Sequence, residues 1–115
     1  MNVDERIAEL TQKMLRRKFY AVLSQPSETP EKLKALLPAH LEYMIGLEKR
    51  GVLFASGPLA DGEGPPSGAG LTILRAASAL EARALAEADP ICRQRIADLR
   101  TQGMDDHGGD ARIAC

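Results

Sequence analysis

The feature that most constrains this chain is a helical stretch with both ends marked, flanked on each side by a short apolar run. Thr29 offers an N-cap, Pro30 suits the first helical position, and Glu31 complements the helix dipole. The pattern runs to Arg50 and stops at Gly51, where glycine readily takes the left-handed conformation that follows a helix. Pro38 lies inside it and predicts a kink or two abutting helical pieces. Before the helix, Phe19–Ser24 is aromatic and β-branched and ends at Gln25-Pro26; after it, Val52–Gly57 repeats the character. Strand, helix and strand in this order point to a mixed α+β domain.

The glycine-rich stretch 62–70 comes next. It lacks the spacing of a phosphate cradle and leads into the strand-like run Leu71–Ala76, not into a helix N-terminus. It reads as a hairpin connection, placed where it can serve as a lid. Ser78 and Glu81 form a capping box for a helix that reaches about Ala88 and ends at Asp89-Pro90. Ahead of the first strand, residues 2–17 carry Val3, Ile7, Leu10 and Met14 on one stripe of an amphipathic helix. The basic run Arg16-Arg17-Lys18 reads as its solvated end.

At 115 residues the chain is one domain with room for a modest core. A formal net charge of −1 argues against a nucleic-acid footprint or an anionic-membrane surface. No apolar run approaches the ~20 residues needed to span a bilayer, and the opening MNVDERIAEL has no signal-peptide core. Cys92 and Cys115 form no Cys-x-x-Cys pair and suggest no disulfide framework, so a reducing, cytoplasmic location is expected.

Within the long helix, His40 draws the eye. With Leu33 as angular origin and about 100° per residue, Leu37 lies near +40°, His40 near −20°, Met44 near +20° and Leu47 near −40°. His40 is thus aimed inward, where an unpaired imidazole costs about 1–3 kcal/mol. It is either a satisfied core histidine or a group facing a cleft, where it can take and give a proton near neutrality. Ser24 and Ser56, at strand ends, and Tyr43 are candidates for holding a substrate; Tyr20 also offers a phenol. Each reads more readily as a strand terminus or core residue. No nucleophile–base–acid triad is legible. His107 lies in an acidic, glycine-rich tail of the kind that is usually disordered, and no metal site is expected there.

The segments HLEYMIGLEKRGVLFASGPL (40–59) and GAGLTILRAASALEARALAEADP (68–90) together resemble the YCII-related (YciI-like) family. The likeness rests on a His-Leu on the first helix, a Gly-x-Leu strand ending in Gly-Pro, a glycine-bearing hairpin, and a helix closed by Asp-Pro. It covers roughly residues 18–90. The resemblance implies a ferredoxin-like βαββα(β) protomer that dimerises face to face into a dimeric α+β barrel, similar in architecture to muconolactone isomerases. It also implies a His–Asp pair in a cleft, here His40 and Asp89. The expected chemistry is isomerase-, lyase- or dehydrochlorinase-like on a small cyclic or lactone-like compound, with no metal or organic cofactor. The alternative is a non-catalytic dimeric module that binds a metabolite or is mainly structural. Asp89 has a local role as well, since Asp-Pro is an N-cap followed by the first residue of a new helix.

After Asp89-Pro90 the chain departs from the family pattern. Cys92, Ile96 and Leu99 fall at i, i+4, i+7, with Gly103 behind, and predict a helix in place of the last strand. That would leave Phe19–Ser24 as an uncovered edge. A displaced reading frame would explain the abrupt change. The expected organisation is an N-terminal helix over 1–17, an α+β domain over 18–90, and a divergent, partly disordered segment over 91–115.

Overall fold

The computed structural model describes residues 2–13, 18–60, 62–64, 67–104, 110–113 and 115. Helix α1 spans Val3–Gln12, strand β1 Phe19–Pro26, helix α2 Pro30–Lys49, β2 Leu53–Pro58 and β3 Gly70–Arg75. Helix α3 covers Ala79–Glu87, the one-turn helix α4 Pro90–Arg93, β4 Ala97–Gly103 and β5 Asp110–Ile113. The five strands form one antiparallel sheet in the order β2-β3-β1-β4-β5. This α+β arrangement is compatible with a ferredoxin-like fold.

The local signals explain most of the elements. Thr29 caps α2, Pro30 stands at its start, and Gly51 follows it at φ 75°. A single helix runs through Pro38, so the two-piece alternative does not occur. Ser78 caps α3 by accepting from the Glu81 amide. The core lies between the helices and one face of the sheet. Val22, Leu74 and Leu99 supply the sheet side, Met44 and Leu47 come from α2, and Ala86 and Ile91 from α3 and α4.

The expected C-terminal helix is a correction. After a single turn the chain reverses at Arg95, whose φ is 57°. The Ile96 amide donates to the Ile91 carbonyl and the Arg95 amide to the Cys92 carbonyl, the paired bonds of a helix stop. Arginine occupies a left-handed position that glycine would ordinarily advertise, so the stop was invisible in the composition. From Ala97 the burial alternates strictly: Ala97, Leu99, Thr101 and Gly103 point inward, and Asp98, Arg100 and Gln102 outward. The i, i+4, i+7 spacing of Cys92, Ile96 and Leu99 is a coincidence of two elements. With β4 in place, β1 is paired on both sides, from Tyr20↔Gly103 to Pro26↔Ala97 on the β4 side. Its edge is therefore covered, and the ground for a displaced reading frame disappears.

The cysteine expectation is corrected too. Cys92 on α4 and Cys115 are joined in a disulfide. Their spacing carries no framework motif, and only the fold brings them together. The expectation of a reducing compartment loses its basis with this bond. Among the described residues no helix is long and apolar enough to cross a membrane.

Helix α1 forms as predicted, with Asn2 and Glu5 making a capping box, but it stops at Gln12 and none of its residues is buried. Val3, Ile7 and Leu10 stay exposed. Met14, Arg16 and Arg17 lie outside the described residues, as does His107.

Candidate functional site

A cavity of about 610 Å³ opens between α2 and the inner face of β1, β2 and β3. Its walls are mainly apolar, and Leu37, Leu41 and Ile45 line it while remaining exposed along α2. The alternation of the strands fixes which side chains reach it. Across the sheet, Ser56, Thr72 and Val22 lie in one register row, and Pro58, Gly70 and Ser24 in the next row on the same face.

His40 and Asp89 share this cavity. His40 is carried by α2. Asp89 is placed by the capping geometry of α4: its extended backbone ends α3's turn, and its Oδ1 accepts from the Ile91 amide at 3.1 Å. The residue is only 4% exposed. The His40 Nδ1 lies 2.9 Å from Oδ1 and 2.8 Å from Oδ2 of Asp89. A carboxylate can only accept, so in neutral histidine Nδ1 holds the proton and donates it. Nε2 is then the basic nitrogen. One aspartate thus caps a helix and orients an imidazole, and the inward angle calculated for His40 ends at this partner.

The other expected residues divide. Ser24 and Ser56 line the cavity, Ser24 with its hydroxyl 3.5 Å from the Gly70 carbonyl. Tyr43 does not line it: its hydroxyl donates to the Leu85 carbonyl at 2.6 Å and ties α2 to the last turn of α3. Burial pushes its phenol above the usual 10.0, the Asp89 charge adds to this, and Arg50 opposes it. Tyr20 is buried in a small cluster with Ala76 and Ala82. Among the described residues no group of three metal-ligating side chains exists.

Sequence reading missed Thr72, Met44 and Glu48, which also line the cavity. Thr72 Oγ1 sits 2.9 Å from Ser56 Oγ and 3.9 Å from the Met44 sulfur. The signal for Thr72 was present in the alternation Gly70-Thr72-Leu74, a polar residue on an otherwise inward apolar stripe. At its C-terminal end the glycine-rich connection is closely packed. A Cβ on Gly68, whose φ is 93°, would meet Pro26 at 3.1 Å and Leu33 at 3.3 Å, and one on Gly70 would meet Ser24 Oγ at 3.0 Å.

Comparison with known families shows which family the chain is similar to. A family model described as the YCII-related domain matches residues 18–100, which spans both His40 and Asp89 and continues past Pro90 into β4. Comparison with curated proteins gives no match.

Proposed function

The chain belongs to the YCII-related family, and from that premise and the site geometry we propose that it is a small-molecule enzyme that moves protons on a cyclic or lactone-like compound. The observation that carries the reading is the His40–Asp89 contact of 2.8–2.9 Å in the wall of a largely apolar cavity. Asp89 holds the Nδ1–H tautomer, so Nε2 is free to act as general base. It takes a proton from a carbon next to a carbonyl, and the resulting imidazolium is stabilised by the Asp89 charge. Returning that proton to a different carbon completes an isomerisation. Expelling a leaving group from the neighbouring carbon, with the electron pair of the broken C–H bond forming the double bond, completes an elimination.

The assembly proposed with it is a homodimer through the outer face of the sheet, opposite the face that α2, α3 and α4 cover. Phe19 and Phe54 meet there with ring centres 4.8 Å apart, beneath the Arg75 guanidinium, and Leu23, four residues further along β1, is exposed. The alternative, a non-catalytic dimeric module, would be favoured by loss of the last strand. With β4 present that support is gone.

The test is a screen of lactones and halogenated ring compounds with wild type and His40→Ala. Turnover by wild type, reduced about 10²–10⁴-fold in His40→Ala, is expected for loss of a general base. Equal turnover by both proteins would remove His40 from the mechanism.

A further inference from the structure

The cavity carries a second polar feature besides the His–Asp pair. Ser56 and Thr72 share one hydrogen bond at 2.9 Å, and two hydroxyls bring two protons to it. One proton is left over. When Ser56 donates to Thr72, the Thr72 hydroxyl faces only the Met44 sulfur at 3.9 Å, a weak acceptor. When Thr72 donates, the proton of the exposed Ser56 is the one left over. Met44 lies one turn along α2 from His40, about 6 Å away by helical rise. The hydroxyl pair and the imidazole therefore border the same stretch of cavity.

The ionisable groups around it are two carboxylates and one imidazole. Among the described residues lining the cavity, the ionisable groups are His40, Asp89 and Glu48. Asp89 is matched by His40 whenever the imidazole is protonated, while Glu48 has no cation beside it in the wall. An anionic ligand would meet the exposed Glu48 carboxylate at the rim of the cavity, whereas an uncharged one would meet apolar walls and a hydroxyl donor.

We infer that the cavity takes an uncharged ring compound with a carbonyl oxygen, and that Thr72 and Ser56 hold that oxygen while Glu48 turns away ring carboxylates. The need for a carbonyl rests on the proton-transfer reading above, because a hydrogen bond to that oxygen stabilises the charge that develops as the neighbouring carbon loses its proton.

Coumarin-3-carboxamide and coumarin-3-carboxylate share ring and size and differ in charge, which makes them the probes. Each is titrated into the full chain at pH 7.5 and followed by amide NMR. The carboxamide is expected to bind at least about tenfold more tightly and to shift Thr72, Ser56 and Met44. Thr72→Val should weaken it about five- to tenfold, the worth of one hydrogen bond, without changing the melting temperature. Glu48→Gln should narrow the gap between the probes. Equal or tighter binding of the carboxylate, indifference to Thr72→Val, or no binding of the carboxamide up to its solubility limit would overturn the inference. His40→Gln separates the two claims: if it keeps full turnover while the preference for the carboxamide persists, the base role falls and the recognition of uncharged rings stands.

Discussion

The two faces of the sheet are made by the same strands and differ in what covers them. The inner face, reached by Val22, Ser24, Thr72 and Leu99, is covered by α2, α3 and α4 and contains the cavity with His40 and Asp89. The outer face, one residue out of phase, presents Phe19, Leu23 and Phe54 with Arg75 over the two rings. In β4 the difference is plain: Ala97, Leu99 and Thr101 are buried while Asp98, Arg100 and Gln102 are exposed. Strand periodicity alone thus gives this small domain one face with a helix-covered cavity and another with exposed apolar side chains.

Three perturbations separate the faces, in order of expected effect. The disulfide acts on the inner layer, because Cys92 is on α4, the helix that Asp89 caps. It closes a loop with a sequence separation of 23, for which chain entropy gives about 3 kcal/mol. Urea unfolding with and without dithiothreitol should show a loss of that order, and Cys115→Ser should be indifferent to the reductant. An unchanged midpoint for wild type would mean that the bond does not brace this layer.

A charge on the outer face should act the other way. Leu23→Asp is expected to raise the dissociation constant of the proposed homodimer by about thirtyfold or more, read by sedimentation, while leaving the melting temperature and the His40 resonances of the monomer intact. Loss of the folded monomer together with the dimer would break the separation. The smallest effect belongs to Tyr43→Phe, which removes the bond to Leu85 and should cost about 1 kcal/mol. The raised phenol pKa sets the sign of its pH dependence. Its contribution is fully present below 10.0, and it fades as pH rises because the unfolded chain ionises first. Wild type should therefore lose stability above pH 10 more steeply than Tyr43→Phe.

How much of this was legible varies with how local the signal is. The ends of α2 and α3 were readable because Thr29, Pro30, Gly51 and Ser78 act on their own neighbours. His40's inward direction followed from helical arithmetic, and its pairing with Asp89 followed from the family resemblance. Two features were illegible for different reasons. The stop at Arg95 uses an arginine in a glycine-like conformation, so β4 was hidden behind a false helical spacing. The disulfide and the Ser56–Thr72 pair join residues from separate elements, and no spacing along the chain encodes them. Tyr43 is a candidate substrate contact by residue type alone; the fold gives its hydroxyl to Leu85.

The central claim is that Asp89 holds His40 with Nδ1 protonated and Nε2 available to a molecule in the cavity. Long-range ¹H–¹⁵N correlation of the imidazole, recorded at a pH where His40 is neutral, tests it without a known substrate. The expected result is the Nδ1–H tautomer, with an Nε2 resonance that moves when coumarin-3-carboxamide is added. An Nε2–H tautomer, or an Nε2 that ignores the probe, would contradict it.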